Sequence, residues 1–317
     1  MFRSVAVAAL AALAPLAVVE MSEVSGLAGA GPIRLRDAER GVGAPAERDR
    51  GVGAPGVRII GQTGASRFAL AQVSDSRGAA LVDVGADDFV VQESGVEREI
   101  LDVRVADYPI VVVLDNGAAA IDDFPSMRAA ATRFVERLGP RPVAVATAGG
   151  TPKLAASFDD ERATLLARLS RIEPAGTEDS QPLGAAALAA ETIRSTGTLF
   201  AAIVALTASP IEVAGPAADP FLAPIIDSRA VLHVVANSAR VGATHQFLRG
   251  LVDQTHGDFT AIYAPASYQP AVDRLVTRLT TELLIEYIVP LGSKASDVKI
   301  GVRIPGARVR GLGVAPR

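Results

Sequence analysis

The run Ile110–Leu114 is the feature that most constrains how this chain can fold. Its five residues, Ile-Val-Val-Val-Leu, are continuously apolar and mostly β-branched, which is typical of a strand buried on both faces. The run ends at Asp115 in a polar turn, and a helix-like pattern follows from about Phe124 to Leu138. A strand, an acidic turn and a helix in this order predict a site at the carboxyl end of a strand in an open α/β sheet.

The same alternation continues along the central part of the chain. Apolar runs predict further buried strands at residues 142–148, 199–206, 230–236 and 258–263, and a short edge strand at 154–158. Helical patterns at 160–171, 183–195, 220–226, 243–254 and 268–284 lie between them. Strands separated by helices of this length predict an α/β fold, doubly wound, with a mainly parallel sheet and helices on both faces.

Both flanks of this region have strand-like patterns instead. Residues 57–107 contain three short strand patterns separated by turn residues, and in the tail Val298, Ile300 and Val302 alternate onto one face. Each flank alone would expose an apolar face. We therefore predict that the N-terminal and C-terminal segments pair into one small β layer beside the α/β domain.

The first residues indicate export. Arg3 precedes an uncharged apolar run over residues 4–19, which suits a secretory signal and is shorter than the roughly 20 residues of a membrane-spanning helix. An uncleaved membrane anchor is the alternative. A duplicated Arg-Gly-Val-Gly-Ala-Pro motif then marks a linker. The predicted division is a signal at 1–30, a linker at 31–56, a β module at 57–107, the α/β domain at 108–284 and a β tail at 285–317.

Composition excludes several classes of function. The net charge of −4 and the lack of a basic stripe with interleaved aromatics disfavour a nucleic-acid partner. The chain has no Cys and only three His, which removes thiolate chemistry and disfavours a His-rich zinc site. Neither a Gly-x-Ser-x-Gly elbow nor a phosphate loop is present in the sequence, so no small-molecule substrate is evident.

The order of these patterns resembles a known family. The central region is similar to a von Willebrand factor A domain, and residues 57–317 resemble the bacterial VWFA-related proteins first described in acidobacteria. The resemblance rests on the lead-in phrase from Asp88 to Gly95, on the strand ending at Asp115, and on the tail around Tyr287 and residues 299–310. It implies a von Willebrand factor A-like fold.

The resemblance also implies a position for a metal-ion-dependent adhesion site. Such sites use Asp-x-Ser-x-Ser after the first strand, a Thr on a later loop and an Asp after the fourth strand. Asp115 matches the first Asp, and Thr177 matches the loop Thr, with Ser180 as a competing match. The remaining ligand positions carry no oxygen-bearing side chain: Gly117, Ala119 and Ala208. Because Mg²⁺ prefers about six hard oxygen ligands, this set predicts a degenerate site, with at most weak Mg²⁺ binding and no other cofactor.

Three hypotheses for function follow. The first is an exported, non-enzymatic protein-interaction module whose contact face carries Asp115, Asn116, Thr177 and Ala208. The second is a residual Mg²⁺-dependent site using Asp115, Thr177 and Asp179, and the third is a structural or assembly protein acting through its β layer. Without a metal, Asp115 would be a strand-end carboxylate that accepts loop amide hydrogens. Asp122 and Asp123 lie at the start of a predicted helix, where their negative charges are expected to interact favourably with the helix dipole.

Overall fold

A computed structural model describes residues 64–211 and 215–316 of the chain. The predicted signal, the linker and the first residues of the β module lie outside the described residues. In chain order the strands are β1 Gly64–Ser74, β2 Phe89–Glu93, β3 Val96–Arg98, β4 Ile100–Val105, β5 Ile110–Leu114, β6 Val143–Thr147, β7 Lys153–Ala156, β8 Ala202–Thr207, β9 Val231–Asn237, β10 Phe259–Ile262, β11 Glu282–Pro290, β12 Val298–Val302 and β13 Arg308–Ala315. The α-helices are α1 Phe124–Arg137, α2 Arg162–Ser170, α3 Pro182–Thr196, α4 Asp219–Asp227, α5 Ser238–Val241, α6 His245–Gln254 and α7 Tyr268–Leu279.

The central sheet has six strands in the order β10-β9-β8-β5-β6-β7. All neighbouring strands pair in parallel except β6 and β7, which pair antiparallel at one edge. The chain builds outward from β5 through β6 to β7, then crosses to β8 on the other side of β5. The strand order therefore reverses between β5 and β8, and the crevice beyond their carboxyl ends is the topological switch point where open α/β sheets place their sites.

Helices cover both faces of this sheet. Every residue of β5, β6 and β8 is buried, as expected for strands without a solvent-facing side. One face packs on α1, α2 and α7 around Phe124, Phe134 and Leu165, and the other packs on α3, α4 and α6 around Ile193 and Leu251. The predicted doubly wound α/β fold is confirmed.

The flanking β layer is also present, but it consists of two sheets where the sequence predicts one. A four-stranded antiparallel sheet has the order β13-β1-β11-β4, and a three-stranded sheet has the order β12-β2-β3. Their apolar faces meet in a shared core that includes Ala71, Val91 and Tyr287. Two sheets form because each has one apolar face, and packing these faces together buries both of them.

The end of α7 also differs from the prediction. The helix predicted over 268–284 ends at Leu279, and β11 begins at Glu282. From Leu283 onward buried and half-buried residues alternate, and these side chains pack into the β layer. The tertiary packing of β11 against β1 and β4 therefore overrides the helical pattern, and the predicted boundary at 284/285 falls inside a strand. Among the residues that the structure describes, no helix is long and apolar enough to cross a membrane.

Candidate functional site

Asp115 lies at the switch point, directly after β5, and its side chain is 1% exposed. Carboxylate Oδ2 accepts hydrogen bonds from the end of β8: from the Thr207 hydroxyl at 2.8 Å, the Ala208 amide at 2.9 Å and the Ser209 amide at 2.8 Å. The backbone amide of Asp115 in turn donates to the Leu206 carbonyl at 3.0 Å. These bonds fasten the two central strands together at the point where the sheet order reverses.

The other carboxylate oxygen faces the loop that precedes α3. Asp115 Oδ1 accepts a hydrogen bond from the Ser180 hydroxyl at 2.5 Å and one from the Gly117 amide at 3.3 Å. Together with the three donors from β8, five protein groups donate to this single carboxylate. A buried carboxylate needs such donors because they replace the water that it loses on folding.

Residues 173–181 form a loop that closes over this edge of the sheet, here named the closing loop. Its backbone is joined to the turns after β5 and β6 by four hydrogen bonds of 2.7–2.9 Å: Ala175 to Asn116, Ala118 to Glu178, Gly150 to Asp179, and Gln181 to Ala148. The Asn116 side chain reinforces them, since it donates to the Glu173 carbonyl and accepts from the Gly149 amide. The closing loop is thus fixed by backbone pairing, which the side-chain sequence does not encode directly.

Two glycines make this close approach possible. A Cβ atom at Gly117 would lie 2.7–2.9 Å from three atoms of Ser180, and one at Gly149 would lie 2.6 Å from the Ala175 Cβ. Real Cβ atoms essentially never approach so closely, so any side chain at these positions would displace the closing loop. Gly117 stands at a ligand position of the metal site that the resemblance implies, and a serine cannot fit there while the closing loop stays in place.

The structure separates the residues that the sequence predicts for the site. Asp115, Asn116 and Ala208 are buried, whereas Thr177 and Asp179 are exposed on the closing loop. No hydrogen bond joins Thr177 or Asp179 to Asp115 among the described residues; Ser180, the competing match, makes that contact. Of the four residues predicted for the contact face, only Thr177 lies on the surface. The other three are buried and do not form an exposed contact face.

The donor set does not fit a magnesium ion. Mg²⁺ demands a near-octahedral shell of oxygens, but both Asp115 oxygens are taken by protein donors and positions 117, 119 and 208 offer no side-chain oxygen. Within residues 64–211 and 215–316, no group of three or more His, Asp or Glu side chains is arranged to hold a metal.

A second buried carboxylate lies at the same edge. Asp123 is fully buried and accepts a hydrogen bond from the Asn237 side chain at 2.7 Å, while its Oδ1 has no hydrogen-bond partner among the described residues. Asp123 occupies the N-cap position of α1, as expected for a carboxylate at a helix start, but its side chain makes no capping hydrogen bond. Asp122 is exposed and pairs with Arg240 at 2.7 Å. The sequence prediction missed Asn237, although a polar residue at the end of a buried strand, β9, marks the same edge as Asp115.

Two other buried titratable side chains are held in their neutral form. The Tyr268 hydroxyl donates to the Thr207 carbonyl at 2.7 Å, and burial, followed by the charges of Asp123 and Asp115, raises its pKa. His233 lies inside β9, and burial lowers its pKa to about 3. Its Nδ1 accepts the Asp258 amide hydrogen at 3.2 Å, so it is a satisfied core histidine. Neither group is poised to exchange protons at neutral pH.

Comparison with known proteins gives similarity in structure only. No protein-family model matches the sequence, and no curated protein matches it. Among solved structures, a von Willebrand factor type A protein from Catenulispora acidiphila has a TM-score of 0.49 at 10% identity, over 82% of this chain and 75% of that one.

The six-stranded sheet with its antiparallel edge β7 and two helical layers has the doubly wound α/β architecture that the sequence predicts. The BatB protein of Bacteroides thetaiotaomicron is similar at 12% identity and a TM-score of 0.45, over 54% of this chain and 98% of that one. The PilB minor pilin of Streptococcus sanguinis is similar at 10% identity and a TM-score of 0.42, over 56% of this chain and 62% of that one. At these identities the likeness concerns the fold and assigns no activity to this chain.

Proposed function

We propose that this chain is an exported, non-enzymatic protein-interaction module that contacts its partner at the carboxyl edge of the central sheet, without a metal ion. One observation carries the proposal: five protein donors hold the Asp115 carboxylate under the closing loop. The apolar run over residues 4–19 supports export. An interaction at this edge must therefore use the side chains that surround the closed site.

The exposed residues at this edge suit a protein contact. Tyr263 follows β10 and is 76% exposed, Ile121 follows β5 and is 47% exposed, and Arg240 follows β9. Because all three follow the carboxyl ends of parallel strands, they lie on one edge of the sheet. Tyr and Arg are the residue types most enriched among those that dominate binding energy in protein interfaces. Tyr263 also borders a hollow of about 440 Å³ with Ser238 and His245, which gives a partner's side chain a place to enter.

Site-specific photo-crosslinking in the native host tests this proposal. A photoreactive amino acid replaces Tyr263 in one strain and Leu291 in a matched strain; Leu291 is 80% exposed but lies in the β layer. We expect a discrete crosslinked species from position 263 that persists in EDTA and is lost when Arg240→Ser is added. A crosslink from position 291 alone would favour the structural role of the β layer, and loss of the product in EDTA would favour the Mg²⁺-dependent alternative.

A further inference from the structure

A cleft of about 500 Å³ lies beside the closing loop, between β7 and the C-terminal end of α2. Three cationic side chains line it: Lys153 from β7, Arg168 from the last turn of α2, and Arg171 just after that helix. Arg168 is paired with Asp160 at 3.0 Å. Lys153 and Arg171 are exposed and form no ion pair with any described residue. One guanidinium group and one ammonium group are thus available to a ligand in the cleft.

The floor of the cleft contains an unsatisfied hydroxyl. Thr147 ends β6, is 2% exposed and lines the cleft, and its Oγ1 has no hydrogen-bond partner in the described part of the chain. Buried hydroxyls without a partner are uncommon because each one forfeits its hydrogen bonds to water. An oxyanion on the cleft floor would supply the missing acceptor.

The cleft also carries negative charge. Glu173 and Glu178 of the closing loop also line the cleft and are exposed, and neither forms an ion pair with a described residue. The Glu178 carboxylate lies over Gly150, where it fills the space that a Cβ atom would need. These glutamates repel an anion. Binding of an anion therefore depends on direct contacts with the cations and the hydroxyl, and not on the net charge of the cleft.

We propose that this cleft is an oxyanion subsite in which Arg171, Lys153 and Thr147 receive a carboxylate or phosphate group. Arg171 supplies planar donors that match either oxyanion, Lys153 supplies a point charge, and Thr147 donates one hydrogen bond. That a partner's acidic side chain supplies this anion rests on the proposed function. Binding of a free anion to the cleft does not, so the oxyanion subsite and the proposed function can fail separately.

The test is an amide-shift titration of the full chain by ¹H–¹⁵N NMR, with three probes: inorganic phosphate, acetate, and a blocked glutamate residue compared with blocked glutamine. We expect saturable shifts confined to residues around Thr147, Gly149, Lys153 and Arg171, with blocked glutamine giving none. Tighter binding of phosphate than of the carboxylates would indicate a phosphate source, and the reverse order would indicate an acidic side chain.

Charge-neutral and charge-changing variants make the result decisive. Thr147→Val keeps the side-chain volume and removes only an unpaired hydroxyl, so it should fold normally and weaken binding about three- to tenfold. Arg171→Gln should weaken binding at least about tenfold, whereas Arg194→Gln, the same charge change at the end of α3, should leave it unchanged. Glu178→Gln should tighten binding. The absence of saturable shifts, or equal losses in the Arg171 and Arg194 variants, would overturn the proposal.

Discussion

At the scale of single residues, Asp115 and its surroundings determine what the sheet edge can do. Its carboxylate joins β5, β8 and the closing loop through five donors, and Gly117 provides the space in which the closing loop approaches. Thr177, the residue that the family pattern favours, is exposed, and Ser180 occupies its expected place. The sequence could not separate these two because the closing loop's path depends on backbone hydrogen bonds to Asn116, Ala118 and Gly150.

Gly117→Ser would test whether space, rather than chemistry, governs this position. The new Cβ would lie 2.7–2.9 Å from Ser180, so we expect the free energy of unfolding to fall by about 1–3 kcal/mol. Ala119→Ser restores the neighbouring motif serine at an exposed position and should change stability by no more than roughly 0.5 kcal/mol. Urea unfolding measures both. Equal stability of the two variants would mean that the closing loop yields easily.

The buried His233 predicts an acid dependence of stability. Burial lowers its pKa in the folded chain to about 3, below the usual 6.5, so above pH 6.5 the imidazole is neutral in both states and does not reduce stability. As the pH falls from 6.5 toward 3, the imidazole becomes protonated in the unfolded chain but stays neutral in the folded chain. Stability should then decline by up to about 1.4 kcal/mol per pH unit from this residue. His233→Gln should flatten this part of the pH profile in chemical unfolding, and an unchanged slope would contradict the assignment.

At the scale of elements, the central strands are readable from sequence because they are uninterrupted apolar runs that need no partner-specific information. The β layer is harder to predict from sequence, because its strands are short and pair across the chain: β1 pairs with β11 and β13, and β2 with β12.

The residues of the lead-in phrase, Asp88 to Gly95, have a structural role in this layer. Glu93 at the end of β2 forms a buried ion pair with Arg67 of β1, which joins the two sheets, and Arg67 also donates to the Ser293 carbonyl. Ser94 and Gly95, which follow Glu93, both have positive φ in the turn to β3.

The Arg67–Glu93 pair predicts strong coupling between the two sheets. Glu93→Leu leaves the buried guanidinium without its carboxylate and should lower the free energy of unfolding by about 3–5 kcal/mol. The double variant Arg67→Met, Glu93→Leu removes both charges and should recover most of that loss. A double-mutant cycle by urea unfolding measures the coupling. Additive losses from the two single variants would show that the pair does not act as a unit.

At the scale of the whole molecule, a doubly wound α/β domain carries a β layer built from the chain segments that flank that domain. The fold class follows from the sequence because strand and helix periods repeat regularly. The site does not, because its state depends on whether the closing loop lies over Asp115. The surface left for contacts is the rim around that loop, with Tyr263 and Ile121 on one part and the cleft by Arg171 on another.

The central claim is that protein donors, and not a cation, satisfy Asp115, and thermal unfolding with and without Mg²⁺ or EDTA tests it most directly. We expect the wild-type melting temperature to be the same in both conditions. Asp115→Ala leaves several buried donors without an acceptor, so it should lower the free energy of unfolding by about 3 kcal/mol or more in either condition. Calorimetric titration with Mg²⁺ or Mn²⁺ should give no saturable heat. A melting temperature that rises with Mg²⁺, and that loses this rise in Asp115→Ala, would contradict the account.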